Sequence, residues 1–300
     1  MLEVVLPGTG GTVPRRDRWL ATCFMRYNGS GILIDCGEGT QIALKEAGIT
    51  MKPIDILCFT HYHADHVSGL PGFLLTMGNE GRTEPVTVAG PRGVEPLVRA
   101  LCVIAAELPF EVRFVEWTNG AGTLERDGFC VRAFPVRHGV PCCGYEVTIP
   151  RAGKFRREKA EALGLPKALW GDLQKGRPVL YEGREYGPEA VLGAPRRGVR
   201  LVYATDTRPT DTIRQAARDA DLLILEGMYG EATPRAEETG HMLMSEAAML
   251  ARDAGARALW LTHYSPALQE PGAFAEGLRE LFPNTLCAHD GQTATLTFED

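Results

Sequence analysis

Phe59-Thr60-His61-Tyr62-His63-Ala64-Asp65-His66 sets the reading of this chain. Four side chains able to hold a metal fall within six residues, directly after the apolar run Ile54–Thr60, which predicts a β-strand. Side chains on extended backbone alternate, so His61 and His63 point the same way and can grip one cation. Where the chain bends into the helix expected next, Asp65 and His66 project toward a neighbouring position. There they can serve a second cation about 3.5–4 Å from the first, the usual spacing in two-metal hydrolases. Imidazole with carboxylate suits zinc, and Mn2+ or Fe2+ are the other ions that this donor set takes. A lone surface histidine is usually just a solvated side chain. Four such groups at ligand spacing seldom have another reason to be together.

A metal needs ligands from elsewhere, and the chain supplies them in a consistent place. His138 follows the run Phe129–Val136, Asp206 follows Leu201–Thr205, Glu226 follows Leu222–Leu225 and His263 follows Ala258–Thr262. Each sits just past an apolar strand, and strand ends converging on one sheet edge are where α/β proteins build sites. Blander readings compete. Asp206 precedes Thr207-Arg208-Pro209 and a helix, so it could instead cap that helix. For Glu226 and His241 a purely structural role competes more strongly than for the other candidates. Asp35, in Asp35-Cys-Gly-Glu-Gly39, either orients a ligand histidine from behind or shapes a turn. Gly8-Thr-Gly-Gly11 is not GxGxxG and lacks the P-loop lysine, so a tight turn after the first strand is the better reading. His289 has no strand-end context and is set aside.

Outward from the site, Leu2–Leu6, Ile32–Ile34 and Glu111–Val115 predict further strands. Thr40–Ala47 predicts a helix stopped by Gly48. His66–Met77 predicts another, with Gly-Leu-Pro-Gly in its first turn. Val94, Leu97, Val98, Leu101 and Ala105 recur at helical spacing over Val94–Glu107. Helices are also expected over Thr212–Asp219 and Ser245–Ala254. With 300 residues, 44% hydrophobic and 23% charged, the chain can bury one large α/β core and carry an insert. Residues 151–200, broken by glycines and prolines, read as that insert. They hold twelve basic and six acidic side chains, a net +6, while the remainder holds twenty and thirty-two, a net −12. The overall charge of −6 speaks against a nucleic-acid partner, so one basic segment on an acidic body needs an explanation. Eight cysteines form no CxxC pair. That excludes a zinc knuckle or thioredoxin-like site and predicts free, mostly buried thiols, with the adjacent Cys142-Cys143 the one pair that suggests reactivity. No stretch reaches the roughly 20 apolar residues of a membrane span. Met1–Pro7 has neither the basic start nor the apolar run of a signal peptide. No membrane partner and a cytoplasmic location are therefore expected.

At these residues the chain resembles the metallo-β-lactamase superfamily, whose hallmark is HxHxDH after a strand, and within it the tRNase Z family. The agreement runs nearly end to end. It takes in Gly8-Thr-Gly10, Asp35-Cys-Gly-Glu-Gly-Thr-Gln41, the 59–66 stretch, Gly69-Leu-Pro-Gly72, His138 and Gly144-Tyr145. It continues through Asp206-Thr-Arg-Pro209, Glu226, His241 and Leu261-Thr-His-Tyr-Ser-Pro266. HxHxDH alone specifies the superfamily; Gly-Leu-Pro-Gly, Asp-Thr-Arg-Pro and the final Thr-His-x-Ser narrow it to the family.

The resemblance implies an α/β fold, the αββα four-layer sandwich, with two zinc ions per chain between its sheets. His61, His63 and His138 would hold one ion, Asp65, His66 and His263 the other, and Asp206 would bridge them. Asp65 would orient the attacking water or take its proton, and Glu226 and His241 match the family's pair near the scissile phosphate. The implied activity is endonucleolytic removal of the 3′ trailer of precursor tRNA by a homodimer. Residues 1–150 and 201–300 would form the catalytic domain. Residues 151–200 fall where the family inserts its tRNA-gripping arm, which accounts for the basic charge, since Lys and Arg neutralise phosphates. The chain departs from the family twice. Leu165-Pro166 leads into Lys167-Ala168 where the arm usually carries Gly-Pro, and Pro14-Arg-Arg-Asp-Arg18 only partly follows the family's pattern after Gly10. The rival on the same site is a hydrolase of a small phosphodiester or sulfate ester. A non-catalytic RNA-binding protein is disfavoured by the complete ligand set, and a β-lactamase by the missing export signal.

Overall fold

The computed structural model describes residues 1–105 and 107–299. The chain divides into two compact units, Met1–Thr148 with Arg200–Thr297, and Ile149–Val199 with the chain end from Phe298.

Its strands are β1 (Leu2–Gly8), β2 (Thr22–Tyr27), β3 (Ser30–Ile34), β4 (Ile54–Cys58), β5 (Val86–Pro91), β6 (Val112–Trp117), β7 (Gly122–Arg126), β8 (Phe129–Pro135) and β9 (Cys143–Arg151). After them come β10 (Val179–Tyr181), β11 (Arg184–Tyr186), β12 (Arg196–Ala204), β13 (Leu222–Glu226), β14 (Leu259–Thr262), β15 (Thr285–Cys287) and β16 (Gln292–Leu296). One sheet runs β16-β1-β2-β3-β4-β5-β6 and the other β15-β14-β13-β12-β9-β8-β7. β3, β13 and β14 are buried along their whole length. Strands covered on both faces read as continuous apolar runs, which is why Gly-Ile-Leu-Ile, Leu-Leu-Ile-Leu and Leu-Trp-Leu stand out in the sequence. The edge strands β7 and β16 alternate half-buried and exposed residues. β12, β13 and β14 are parallel, with Ala204 beside Leu225 and Glu226 beside Thr262. Their C-terminal ends therefore open on one edge.

The helices are α1 (Thr40–Glu46), α2 (Ala64–Val67), α3 (Leu70–Asn79), α4 (Val94–Leu101), α5 (Arg157–Ala162), α6 (Lys167–Gln174), α7 (Asp211–Ala216), α8 (Pro234–Thr239), α9 (Met244–Ala254) and α10 (Ala275–Leu281). α1, α3 and α4 cover the first sheet through Leu44, Phe73, Leu74, Met77, Val94 and Val98. α7, α9 and α10 cover the second through Ile213, Ala247, Leu250, Ala251 and Leu278. The two sheets meet face to face. Trp117 Nε1 on β6 donates to the Tyr145 hydroxyl on β9 at 3.0 Å, and that hydroxyl donates to Phe59 O at 2.5 Å. Helix, sheet, sheet and helix make the four-layer αββα sandwich. The unit around 151–200 has its own small core of Ala160, Leu165, Leu173, Val179 and Val191, with α5, α6 and the β10–β11 hairpin.

Several elements differ from the sequence expectation for identifiable reasons. The helix expected over His66–Met77 is two, α2 and α3, broken at Ser68-Gly69. Gly69 N donates to Cys36 O at 3.0 Å, and a Cβ on Gly69 would lie 1.9 Å from Gly37 O. The chain must leave the helix there to press its backbone against the 36–37 loop. α4 stops at Leu101 and tightens into a 3₁₀ turn, Cys102–Ala105. Val103 and Ile104 are 73% and 78% exposed, so no packing offsets the reduced helix propensity of two β-branched residues. The cap of α7 is Thr210, whose hydroxyl accepts from Ile213 N at 3.2 Å, and not Asp206. Glu226 is the last residue of β13 rather than the first beyond it. Gly8–Gly11 makes no phosphate cradle: Gly10 bridges Leu20 and Tyr264. Cys142 and Cys143 are buried free thiols; burial pushes Cys143 up to about 12 and Cys142 well above its ordinary value. Neither is a ready nucleophile. No helix among the described residues is long and apolar enough to cross a membrane.

Candidate metal centre

The candidate ligands lie in loops just past strands or, for Asp65 and His66, in the short helix α2 that follows β4. His61, His63, Asp65 and His66 follow β4, His138 lies in the β8–β9 connection, Asp206 follows β12 and His263 follows β14. Asp206 and His263 leave their strands in the left-handed region, at φ 56° and 55°, as does Asp35 after β3 at 64°. Asp and His tolerate this conformation better than most residues. At each of these ends it turns a buried strand sharply enough to leave a residue just beyond it at the site.

Three donor groups form, each with its ligand atoms within 4.8 Å of one another: His61, His63, His138 and Asp206; Asp65, His66 and His263; and Asp206, His241 and His263, which overlaps the first two. In the first, His61 Nε2 lies 3.0 Å from His63 Nδ1, which lies 3.4 Å from His138 Nε2. Asp206 Oδ1 is 3.7 Å from His61 Nε2. In the second, Asp65 Oδ2 is 3.5 Å from both His66 Nε2 and His263 Nε2. Asp206 Oδ2 stands 3.3 Å from those same two nitrogens, so its two oxygens face the first two groups. His66 Nε2, His263 Nε2 and Asp206 Oδ2 are buried with no hydrogen-bond partner. Left so, each would cost about 1–3 kcal/mol. Four donors at metal–ligand bonds of about 2.1 Å sit roughly 3.4 Å apart at the corners of a tetrahedron. Spacings of 3.0–3.7 Å bracket that value. The residues fit a pair of divalent cations.

Behind the ligands the protein fixes which ring nitrogen is bare. Asp35 is fully buried and accepts from Thr60 N at 2.8 Å, from the Thr60 hydroxyl at 2.9 Å and from His66 Nδ1 at 2.8 Å. His66 Nε2 is therefore the nitrogen that faces the site, and it is bare once the ring has lost its second proton. The Thr60 hydroxyl, its one proton given to Asp35, accepts from His61 Nδ1 at 3.1 Å, which bares His61 Nε2 as well. One carboxylate thus sets the tautomers of a histidine in each of the first two groups. Of the two sequence readings of Asp35, the orienting one describes its hydrogen bonds; its positive φ shows that it also shapes the turn.

Charge follows this geometry. Burial, helped by neighbouring His66, pushes His61 down to about 2, so it is neutral and ready to ligate. Burial lowers His138 too. Burial opposes a charged His66, but Asp206 and Asp35 outweigh it and raise His66 well above the usual range. Burial likewise works against the carboxylates of Asp65 and Asp206. His263 and His66 outweigh it at both, and hold both well below the usual carboxylate range. Glu226 is fully buried, accepts from Thr207 N, and takes a hydrogen bond from His241 Nδ1 at 2.8 Å. Burial lowers the His241 pKa, but Glu226 and then Asp206 outweigh it and raise His241 above its ordinary value. His241 Nδ1 is 4.0 Å from Asp206 Oδ1. His289 is exposed, beside Asp290 O, away from the cluster.

Two kinds of contributor escaped the sequence reading. Thr60 sits inside the quoted stretch, but its relay from Asp35 to His61 needs a partner 25 residues away. Arg208 donates to Glu246 at 2.6 and 2.7 Å and to His241 O at 2.6 Å. It ties the loop bearing Asp206 to the loop bearing His241. Its place in Asp-Thr-Arg-Pro was the only signal.

Known proteins match this chain along its whole length. Residues 2–98 match the family described as anti-Pycsar protein Apyc1, and residues 184–264 match the β-lactamase superfamily domain. Ribonuclease Z of Lachnospira eligens is 50% identical over 302 residues, covering 100% of this chain and 99% of that protein. Ribonuclease Z of Clostridium acetobutylicum is 42% identical over 308 residues, covering 100% of both. Among solved structures, the short form of human tRNase Z superposes with a TM-score of 0.71 at 23% identity, over 99% of this chain and 100% of that one. The metallo-β-lactamase fold protein YhfI of Bacillus subtilis gives 0.71 at 17% identity, over 98% of each. At these identities the structures speak for the fold.

Proposed function

We propose, from the premise that this chain belongs to the ribonuclease Z family, that it is a metal-dependent endoribonuclease that removes the 3′ trailer of precursor tRNA. The observation that carries this is full-length identity of up to 50% to ribonuclease Z relatives in a chain whose donor set is complete. Imidazole with carboxylate donors supports zinc as the ion. His61, His63 and His138 would hold one ion and Asp65, His66 and His263 the other, with Asp206 shared. Bound there, the pair supplies Lewis acidity that brings the pKa of water toward neutrality and neutralises phosphate charge.

Hydrolysis adds one water across the bond between phosphorus and the ribose 3′ oxygen, and the departing oxygen needs a proton. His241 is the residue to give it. Against burial, Glu226 raises its pKa and so favours the charged form, and it lines the same cavity as Asp65, Asp206 and His263. Such proton transfer contributes about 10²–10⁴-fold. Asp65 Oδ2 accepts from Thr12 N at 2.7 Å, which fixes the carboxylate so that its free lone pairs can orient water. Asp35 and Thr60 hold the ligand histidines, and Arg208 holds the His241 backbone.

Residues 1–150 and 201–300 carry this chemistry in our reading, and 151–200 form an arm that grips tRNA. The net +6 of that segment supports it. A cytoplasmic location and a homodimer complete the reading, the latter resting on the family and testable by sedimentation. The deciding experiment incubates metal-replete protein with a 3′-extended tRNA and maps the product ends by sequencing. One cut at the trailer boundary is expected. Hydrolysis of bis(p-nitrophenyl) phosphate without any tRNA cleavage would instead favour a small-diester enzyme.

A further inference from the structure

The cavity over the metal centre extends beyond the ligands, and its far wall has no role in the chemistry above. Its volume is about 500 Å³, within the roughly 300–1,000 Å³ of small-molecule sites. Beyond His63, Asp65, Asp206, His241 and His263, it is lined by Met228, Tyr229, Arg235 and Thr239 and by Thr12 and Ser265–Ala267. Arg235 is the only lysine or arginine among the described lining residues. Nearby arginines are already committed: Arg15 to Asp17 at 3.0 Å, Arg208 to Glu246 at 2.6 Å and Arg137 to Glu237 at 2.7 Å. Among the described residues, the exposed Arg235 guanidinium has no carboxylate partner. It brings a full positive charge, with a fork of donors shaped for phosphate, to the mouth of a catalytic cavity.

Tyr229 gives this wall its second feature. Its ring meets His241 edge-to-face with centroids 6.4 Å apart, and its hydroxyl is 3.2 Å from the Thr239 hydroxyl. The residue facing the departing oxygen therefore shares a wall with an aromatic ring and an unpaired cation. The proton donor lies beside the oxygen that leaves. The nucleoside owning that oxygen must occupy the space next to His241, and the next phosphate on its 5′ side must lie one nucleotide further out.

We propose that Tyr229 and Arg235 form a subsite for the last nucleotide retained on the RNA, Tyr229 against the nucleoside and Arg235 on the phosphate at its 5′ side. The proposal rests on the reading of the protein as an RNA 3′-processing enzyme. It places the selectivity for RNA over small diesters partly in the segment 228–241, which includes α8.

The test compares kcat/KM for a 3′-extended tRNA and for bis(p-nitrophenyl) phosphate, which has no second phosphate, in the wild type, Arg235→Ala, Arg235→Lys and Tyr229→Ala. For Arg235→Ala the RNA-to-diester ratio should fall about tenfold, mostly through KM. The slope of log kcat/KM against log salt should flatten by about 0.7, the value of one lost phosphate contact on a single strand. Arg235→Lys should restore most of the slope, and Tyr229→Ala should lower the ratio without changing the slope. Wild-type ratio and slope in Arg235→Ala would overturn the subsite, as would equal losses on both substrates, which would mark the residue as structural. Failure of the wild type to cut the RNA at all would overturn the parent reading, a result distinct from either.

Discussion

Replacing Asp35 with asparagine should cripple metal binding without touching a ligand. The carboxylate receives three donor groups, Thr60 N–H, the Thr60 hydroxyl and His66 Nδ1–H, all at 2.8–2.9 Å and all buried. Asparagine has the same shape but one acceptor oxygen and an NH₂ in place of the other. If the NH₂ faces Thr60, it opposes the backbone N–H. If it faces His66, Nδ1 must accept, and the ring proton moves to Nε2. That atom lies 3.3 Å from Asp206 Oδ2 and 3.5 Å from Asp65 Oδ2, and once protonated it cannot ligate. Loss of an outer hydrogen bond of this kind typically weakens metal affinity 10–100-fold, equivalent to about 1.4–2.7 kcal/mol. The mismatched buried donor should take a further 1–3 kcal/mol or so from stability. Zinc titration of the apoprotein against a competing chelator, with stoichiometry from elemental analysis, reads the first number; thermal unfolding in chelator reads the second. The Asp65–His66–His263 ion should be the one lost. Thr60→Val should chiefly weaken the ion held by His61, because its hydroxyl accepts from His61 Nδ1. Two ions bound by Asp35→Asn at wild-type affinity would refute the tautomer argument.

Five further outcomes are expected. Because Glu226 raises His241, its charged form contributes stability that is complete below about pH 6.5 and disappears as pH climbs through the raised value. As a proton donor it should set the alkaline limb of kcat, so Glu226→Gln should shift that limb to lower pH; an unmoved limb would exclude the pairing. Since Asp206 and Asp35 outweigh burial and raise His66, zinc uptake should release protons into a weakly buffered solution and tighten as pH rises, and pH-independent affinity would count against it. Chelation should abolish cleavage and lower Tm, while zinc at 100 times its Kd should add about 2.7 kcal/mol to stability. Arg208→Ala should lose about 1.5–3 kcal/mol per charge-assisted bond and most of kcat while retaining both metals, as elemental analysis would show. Neutralising four basic side chains in 151–200 should flatten the salt dependence of tRNA cleavage and leave bis(p-nitrophenyl) phosphate hydrolysis alone; equal salt slopes would leave the arm without a tRNA role.

The candidate metal centre was legible because its candidate ligands obey short-range rules. His61, His63, Asp65 and His66 lie in one turn of chain, and buried parallel strands advertise their ends as apolar runs, so Asp206 and His263 could be placed without knowing which strand neighbours which. What surrounds them was not legible, since it depends on register between distant segments. The Asp35 carboxylate serves His66, 31 positions on, and Arg208 reaches Glu246, 38 positions on. Neither pairing has a periodic signature. β7 and β16 were missed because their half-buried alternation is weak, and β2 because Thr-Cys-Phe-Met-Arg-Tyr carries no turn signal before it. The break between α2 and α3 arises from a backbone contact with Gly37 that only the folded chain contains.

The two layers of the site solve different problems. Left-handed backbone at Asp35, Asp206 and His263 and unpartnered buried atoms at His66, Asp206 and His263 each work against folding, by about 1–3 kcal/mol apiece. They persist only if the surroundings dictate them. The dictating contacts lie outside the ligand set: the Cys36–His66 and Gly69–Cys36 backbone bonds at 2.8 and 3.0 Å, the Asp35–Thr60 relay, and the Tyr145 hydroxyl on Phe59 O. None of these needs a cation. The protein thus sets the positions of the candidate ligands by contacts that need no cation, and the binding energy of an ion would relieve the orphaned polar atoms instead of ordering loops. By the same logic, variation in the outer contacts should change metal affinity in graded steps, whereas loss of Asp206, whose two oxygens face the His61 and the His66 groups, should remove the centre as a whole.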